Sequence, residues 1–531
     1  MMADYTSVLE NGAAVDAELI KVRDSNLNPA HKITRSATVV ISAYDAPDEI
    51  KDQADYVCDE LGWETEVQNL ITGAAGGKIL LIGGTFKKST VTGLSIPSNT
   101  IFELQGTIQL VPNAGNSPYI LNISNADNIT ISGGTYDGNL PNHTIITGTG
   151  INISLTGVTN SEIVGVKSIN AGAVVDDYGY AIYLNGCSDT SVHDCYCKDS
   201  GRSSYTIFNG CVRCNLSNNI SISPGRHNFN VHTVSDCKID GNLTTGGNAG
   251  ITLFGTIADC MFINNMFLDP VYNGITVTEG VSVTRIAFNN NTIIGHGTGI
   301  YEPAIYFRDT ITDSSIVGNQ IYDSYTGIGI YGSDIYAADN VIRNASHGIY
   351  LAGTRCEVNN NMLYDISLES IQGNGAAQNL ILGNTLTDCG TLRLQSCTST
   401  FVENNNFIRT SASSSYMSLD EATSGTTVIK NNFFNTDLVT TIINNAATNT
   451  KISGNFGYTT ENDGLATITA GQTTVEVSHG LVLTPTRVLL TPMTATGGKQ
   501  YYVSAKTNST FTITIDSEAT ADISFDWQAT A

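Results

Sequence analysis

The sequence predicts an all-β protein built as a parallel β-helix, and three observations carry this prediction. A short phrase, apolar-x-x-Asn-x-apolar, recurs at gaps of 21–28 residues. A second phrase, a short alternating strand bounded by small residues, recurs in step with the first. Charged residues make up only 14% of the chain, and 51 glycines accompany only 11 prolines, which favours tight turns over disorder. A β-helix explains all three, because each repeat forms one coil stacked on the previous one.

The asparagines of the first phrase are expected to form a ladder. In stacked β structures, amide side chains at one position hydrogen-bond from rung to rung. Four cysteines lie five residues before their ladder asparagine, so we expect them to stack inside the coil as small apolar groups, in preference to forming disulfides or a metal site. The ladder residues are Asn219, Asn242, Asn265, Asn291, Asn319, Asn340, Asn361, Asn384, Asn405, Asn432 and Asn455; the cysteines are Cys214, Cys237, Cys260 and Cys356.

The pattern divides the chain into four parts. Residues 1–38 are polar and aperiodic, which is typical of an arm or attachment segment. Residues 39–75 predict two short helices, the first capped by Asp45, that cover the open end of the coil. The β-helix is expected over 76–458. Five alternating strands over 459–531 then predict a small antiparallel β-sandwich.

Composition limits the choice of partners. The formal net charge of −24 disfavours nucleic acid and anionic membrane surfaces as partners. No apolar run is long enough to predict a transmembrane helix, and the first residues lack the basic and apolar regions of a secretion signal. An acidic substrate would therefore need a local basic patch.

One such patch is PGRHNFNVH, residues 224–232. Outward side chains of adjacent coils lie side by side, so a site should occupy one register of consecutive coils. Aligning the second phrase places Ile182, Ile207 and Phe229 in one column and concentrates polar and aromatic residues in the coils spanning 176–232. The predicted catalytic residues are Tyr178, Arg202, Arg226, His227 and His232; the predicted substrate-binding residues are Asp177, Tyr180, Tyr183, Tyr205 and Asn230.

These residue types suit proton abstraction from C5 of a uronate. Charge moves onto the neighbouring carboxylate as that proton leaves, and arginine neutralises it with a permanent charge and a bidentate fork. A tyrosine or histidine takes the proton. A second group then protonates the opposite face of the ring in an epimerase, or the leaving oxygen in a lyase.

The segments 177–183 and 209–242 resemble the catalytic module of mannuronan C5-epimerases, which carry a YGFDPH motif and, one coil later, an RHGFN motif. DYGYAIY stands here for the first motif and RHNFN for the second. The resemblance implies that Tyr178 is the catalytic tyrosine and that Arg226 and His227 are the catalytic arginine and histidine. The aspartate and histidine of the first motif are replaced by Ala181 and Tyr183.

The family's catalytic lysine has no secure counterpart, and His143 is its positional candidate. The entry into the coils resembles the capped start of right-handed, pectate-lyase-like β-helices, many of them phage tail-associated. The C-terminal strands resemble modules of phage tail fibres, which implies a homotrimer as a candidate assembly.

The sequence therefore predicts a virion-associated or extracellular protein that processes an acidic polysaccharide as a polyuronate lyase or C5-epimerase-like enzyme. Two alternatives stay open: a glycoside hydrolase that uses paired carboxylates, and a glycan-binding tail spike without catalysis. No cofactor is firmly predicted, although Asp176 and Asp177 offer a candidate calcium site. No other metal site is predicted.

Overall fold

The computed structural model describes residues 39–143, 148–172, 179–278, 282–296, 302–308, 311–410, 413–420, 427–435, 439–447 and 450–531. The segment 1–38 lies outside them. The described residues form a right-handed, all-β parallel solenoid of about 15 turns with few helices and small C-terminal antiparallel sheets, so the predicted fold class is confirmed. The chain divides into two compact units, Met1–Thr298 with Ala304–Tyr306, and Gly299–Pro303 with Phe307–Ala531.

The first unit begins with the strand Val39–Ser42, the helix Asp48–Lys51, the strand Tyr56–Val57 and the helix Glu64–Gly73. The second helix turns Val67 and Ile71 toward the protein interior, where both are fully buried. The two predicted helices are therefore present, and the longer one packs its apolar face against the first coils.

The prediction that Asp45 caps the first helix is wrong. Pro47 occupies the position before the helix, with no side-chain cap. The Asp45 carboxylate instead accepts a hydrogen bond from the backbone N–H of Thr85 at 2.7 Å. Asp45 thus ties the entry segment to the first long strand, because that strand offers it a backbone donor.

Each coil of the first unit contributes strands to three parallel sheets. The strands Lys78–Lys88 and Ile101–Leu110 are long enough to turn a corner of the coil, and the second pairs with strands of both the second and third sheets. The first sheet contains Tyr119–Ser124, Gly150–Thr156, Gly179–Asn185, Ser203–Val212, His227–Ser235, Ala249–Ala258, Asn273–Val277 and Ile305–Phe307. The second contains Thr130–Ser132, Glu162–Val164, Ser191–His193, Asn215–Ser217, Lys238–Asp240, Met261–Ile263 and Ala287–Asn289, while Ser282–Thr284 pairs with the end of Ala249–Ala258. The third contains Thr135–Asp137, Lys167–Ile169, Tyr196–Lys198, Ile220–Ile222, Leu243–Thr245, Met266–Leu268 and Thr292–His296; a short 3₁₀ helix, Leu140–Asn142, follows its first strand.

The asparagine ladder is present in both units. The Asn242 side chain is typical: its amide donates to the Asn265 Oδ1 at 2.9 Å and to the Leu216 carbonyl at 3.0 Å, and its oxygen accepts from the Asn219 backbone at 2.8 Å. The residue before each rung has left-handed backbone geometry, with φ of 55° at Asn218. Asparagine and glycine tolerate that geometry best, which explains the recurring Asn-Asn and Gly-Asn doublets.

The cysteines also behave as predicted. All 11 are buried and free of disulfides. The backbone N–H of Cys214 donates to the sulfur of Cys237 at 3.4 Å, and that of Cys237 to the sulfur of Cys260 at 3.4 Å. Cys356 occupies an equivalent position in the second unit, where its N–H meets the Asn379 side chain.

The second unit repeats the three-stranded coil. Its second sheet contains Ile311–Val317, Ser333–Ala338, Glu357–Asn359, Leu380–Leu382, Phe401–Glu403, Thr427–Lys430 and Thr450–Ser453. The strands Gln320–Ile330 and Val341–Leu351 bend from the third sheet into the first. The third sheet continues with Met362–Ile366, Thr385–Thr387, Asn406–Ile408 and Phe433–Phe434, and the first with Glu369–Asn374, Thr391–Gln395, Ser413–Leu419 and Val439–Asn445.

The C-terminal module has six strands rather than the predicted five, because the segment after Asn455 folds into two strands before its first long loop. They form two three-stranded antiparallel sheets around a shared apolar core that includes Phe511, Phe525 and Trp527. One sheet contains Glu461–Ile468, Ile523–Thr530 and Arg487–Pro492; the other contains Thr474–Ser478, Thr510–Ile515 and Tyr501–Lys506.

Candidate functional site

Most of the predicted site residues gather on the first sheet of the first unit. Three consecutive strands carry them or directly follow them: Gly179–Asn185, Ser203–Val212 and His227–Ser235. Two predicted residues, Asp177 and Tyr178, lie outside the described residues, as does Asp176. The structure therefore describes the other eight predicted site residues.

The register of these strands corrects the predicted alignment. Ile182 pairs with Tyr205, and Tyr205 pairs with Phe229, so Ile207 lies two residues further along than expected. Tyr205 points into the core, where it is fully buried and stacks on the Phe229 ring at 5.0 Å. Its hydroxyl donates to the carbonyl of Ile220 at 3.0 Å. Tyr205 is a core residue, and its predicted role in substrate binding is wrong.

Thr206, Asn230 and Thr252 lie side by side on the outward face of the first sheet. Their exposed fractions are 1%, 7% and 2%. Neither the Thr206 hydroxyl nor the Asn230 side-chain oxygen has a hydrogen-bond partner among the described residues. A buried polar atom without a partner is costly, so this row forms a floor suited to a ligand or ordered water that completes the hydrogen bonds.

Aromatic rings border one side of that floor. The Phe208, His232 and Phe254 side chains occupy one register of three consecutive coils. The Phe208 and His232 ring centroids are 4.6 Å apart, and Tyr183 extends the row at 5.9 Å from Phe208. Tyr180 lies 5.2 Å from Tyr183. All five side chains are half-buried. Such rings offer flat apolar faces with polar edges.

Cationic residues lie where these strands begin. Arg202 and Arg226 lie on adjacent coils, where the backbone N–H of Arg226 donates to the Arg202 carbonyl at 2.8 Å. His227 follows directly and pairs in register with Ser203. The Thr252 hydroxyl and His227 Nδ1 are 2.9 Å apart, so the imidazole reaches the floor. We name this arrangement the groove: Tyr180, Tyr183, Arg202, Thr206, Phe208, Arg226, His227, Asn230, His232, Thr252 and Phe254.

The groove keeps His227 neutral. Burial, with the positive charges of Arg202 and Arg226, lowers the pKa of His227 to about 4. Burial raises the pKa of Tyr183 well above its usual value. At neutral pH the groove therefore presents two permanent cations, a neutral imidazole and a protonated phenol. Its named residues supply hydrogen-bond donors and positive charge.

His143 has a structural role that the positional match to a catalytic lysine did not predict. Its Nδ1 accepts a hydrogen bond from the Asn113 backbone at 2.9 Å, and its Nε2 lies 2.7 Å from the Gly138 carbonyl. The ring is buried, and burial lowers its pKa. Within the described ranges, no group of three or more His, Cys, Asp or Glu residues is arranged to hold a metal ion.

Comparison with known proteins relates the chain to two groups. The family described as "Periplasmic copper-binding protein (NosD)" matches residues 262–456, which is less than half of the chain. No curated protein matches in sequence. Among the helices of the described residues, none is long and apolar enough to cross a membrane.

Solved structures with the same fold include tailspikes of E. coli bacteriophage HK620. A double mutant of that tailspike superposes with a TM-score of 0.52 at 13% identity, covering 89% of this chain and 92% of the other. A single mutant in complex with a pentasaccharide gives a TM-score of 0.51 at 13% identity, with the same coverage. At this identity the likeness establishes the fold, which is that of a tailspike-like β-helix.

These comparisons do not support the predicted relationship to mannuronan C5-epimerases. The structure shows why the motif match is weak. Ala181, at the position of the family's aspartate, is fully buried. Tyr183, at the position of its histidine, has a raised pKa and belongs to the aromatic row. The shared RHNFN segment reflects an ordinary coil strand in which Phe229 points into the core.

Proposed function

We propose that the groove binds an acidic polysaccharide and that the protein is a virion-associated, tailspike-like glycan-binding protein. The observation that carries this proposal is the placement of Arg202 and Arg226 on adjacent coils, beside a neutral His227. In a chain with a net charge of −24, two cations at one place attract an anionic ligand selectively.

The rest of the groove suits a sugar chain. Arginine forks bind carboxylates with two parallel hydrogen bonds. The Asn230 side-chain oxygen accepts a hydrogen bond from a sugar hydroxyl. The Thr206 hydroxyl donates a hydrogen bond to a sugar oxygen or accepts one from a sugar hydroxyl. The rings of Phe208, His232 and Phe254 pack against the apolar faces of sugar rings. A solved tailspike of this fold is in complex with a pentasaccharide, which supports glycan as the ligand class. A homotrimer stays the candidate assembly.

Polyuronate lyase or C5-epimerase chemistry is the second candidate, and the observation in its favour is that His227 is unprotonated at neutral pH. A base with a pKa of about 4 is a weak proton acceptor at pH 7. Binding of a carboxylate beside His227 would raise that pKa and strengthen the base. Glycoside hydrolysis by paired carboxylates stays a prediction, because its candidate residues Asp176 and Asp177 lie outside the described residues.

Binding and catalysis can be tested with the same variants. Isothermal titration with alginate, pectate and acidic bacterial capsular oligosaccharides measures affinity, and absorbance at 235 nm reports unsaturated lyase products. Arg226→Ala and Arg202→Ala should each weaken binding by about tenfold or more, because each removes hydrogen bonds to a charged group. Proton NMR of the treated polymer would detect epimerisation.

Arg213→Ala is the matched control. Arg213 is an exposed arginine of the first unit that pairs with Asp189 away from the groove. Its replacement should leave affinity unchanged. An equal loss of affinity in the control and in the groove variants would contradict the proposal. The absence of binding to every acidic polymer would contradict it as well.

A further inference from the structure

A second polar cluster lies on the first sheet of the second unit. The strands Val341–Leu351, Glu369–Asn374 and Thr391–Gln395 are adjacent there. Tyr350 pairs in register with Gln372, and Gln372 pairs with Arg393, so these three side chains form an outward row. Glu369 begins its strand and His347 lies three residues before Tyr350, so both are close to that row. We name His347, Tyr350, Glu369, Gln372 and Arg393 the Glu369 cluster.

The charges of the cluster compensate one another. The Glu369 carboxylate contacts His347 Nδ1 at 3.0 Å with one oxygen and the Arg393 guanidinium at 3.6 Å with the other. The Glu369 and His347 side chains are 21% and 6% exposed, whereas that of Arg393 is 42% exposed. Burial lowers the pKa of His347, and the Glu369 charge opposes this only in part. One anion, one cation and a neutral ring leave the cluster without net charge at neutral pH.

Two polar groups of the cluster, the Gln372 side-chain oxygen and the Tyr350 hydroxyl, are able to form further hydrogen bonds. The Gln372 side-chain oxygen is buried and has no hydrogen-bond partner among the described residues, in a residue only 9% exposed. The Tyr350 hydroxyl accepts a hydrogen bond from the Asn374 amide at 2.8 Å, so its own proton is oriented away from that amide. The Tyr331 ring packs at a tilt against the Tyr350 ring, with a centroid distance of 5.2 Å. A buried amide oxygen without a donor is a costly arrangement unless a ligand or water supplies one.

We propose that the Glu369 cluster is a second sugar-binding site, and that its ligand is an uncharged, hydroxyl-rich sugar residue. The carboxylate of Glu369 and the oxygen of Gln372 accept hydrogen bonds from sugar hydroxyls. Arg393 and the Tyr350 hydroxyl donate to hydroxyl or ring oxygens, and the Tyr350 ring offers an apolar face. Mixed donors and acceptors beside an aromatic ring are the chemistry that recognises a polyol.

Other ligand classes fit less well. A uronate or phosphate would face the Glu369 carboxylate, whose charge Arg393 already balances. A divalent cation would face the Arg393 guanidinium and find only one carboxylate. The ligand charge therefore separates this site from the groove, and the inference does not depend on the function proposed for the groove.

The test uses the full-length chain and two matched sets of purified oligosaccharides. One set consists of neutral bacterial O-antigen oligosaccharides, and the other contains uronates of the same length. Saturation-transfer difference NMR and isothermal titration identify binders and measure affinity. Glu369→Gln and Gln372→Ala should each weaken binding of neutral oligosaccharides at least tenfold, while Arg226→Ala in the groove leaves that affinity unchanged.

Glu357→Gln is the matched control, since Glu357 is a partly exposed carboxylate of the second sheet in the same unit. Circular dichroism and the unfolding midpoint establish that each variant folds. The proposal is overturned if no neutral oligosaccharide binds the unmodified protein, or if folded Glu369→Gln and Gln372→Ala bind as tightly as it does. Failure of the groove proposal gives a different result, since Arg226→Ala then leaves uronate binding unchanged.

Discussion

The groove and the Glu369 cluster each lie on the first sheet of their own unit, yet their charges differ. In the groove, Arg202 and Arg226 act together and lower the pKa of His227 to about 4. In the cluster, Glu369 lies between His347 and Arg393 and cancels the charge. The comparison shows that a repetitive scaffold holds side chains at fixed positions, and that a few different residues on neighbouring coils decide which charges each surface presents.

The largest expected effect concerns the asparagine ladder, which both units contain. Asn242→Ala in the first unit and Asn361→Ala in the second each remove a ladder rung and leave buried partners unsatisfied, among them the Leu216 and Ala337 carbonyls. Each change should lower the free energy of unfolding by about 3 kcal/mol or more. Denaturant titration monitored by circular dichroism measures this loss. A much smaller loss in one unit would show that its ladder is not essential there.

The next effect tests how the two histidines differ. A histidine whose pKa is lowered in the folded state contributes stability above its unfolded pKa, and that stability is lost as the pH falls through the folded pKa. For His227 this loss occurs between about pH 6.5 and about pH 4, and it lowers the free energy of unfolding by roughly 3 kcal/mol. The Glu369 charge opposes the shift at His347, so its contribution should be smaller.

Unfolding midpoints measured from pH 7 to pH 4 for His227→Gln and His347→Gln compare the two contributions. The decline in stability toward pH 4 should flatten most in His227→Gln, while carboxylate protonation acts equally on both variants. Equal flattening would show that the arginines beside His227 have no special influence on it.

The smallest expected effect tests whether Tyr205 acts only as a core residue. Tyr205→Phe removes a hydroxyl that donates to the Cys195 and Ile220 carbonyls at 3.1 and 3.0 Å. Stability should fall by about 1–2 kcal/mol, with no change in affinity for acidic oligosaccharides. Denaturant titration and isothermal titration on one preparation give both values. Weaker glycan binding by a fully folded variant would show that Tyr205 contributes to binding.

The error at Tyr205 came from aligning coils on one apolar residue. Counting back from the ladder asparagine would not have decided the choice, because Phe229 lies 13 residues before Asn242, whereas Tyr205 lies 14 and Ile207 lies 12 before Asn219. The register irregularity after Phe208 absorbs the difference. The Glu369 cluster was missed for another reason, because its residues come from three coils and no single phrase contains a motif.

The sequence by itself determined the coil. Its period, its ladder asparagines and its inward cysteines follow from local rules: a left-handed residue before each rung, an amide that hydrogen-bonds to its copy, and alternation between core and solvent. These rules repeat about every 23 residues, so they leave a visible pattern.

Only the tertiary structure decided which outward side chains meet. A bulge of one or two residues moves every later side chain of a strand to a different neighbour. Burial and charge then act across coils rather than along the chain, so the pKa of His227 and the pairing of Glu369 with Arg393 depend on residues about one coil away. For this reason the sequence predicted only a region for the candidate site, and the stacking of coils determined which side chains meet there.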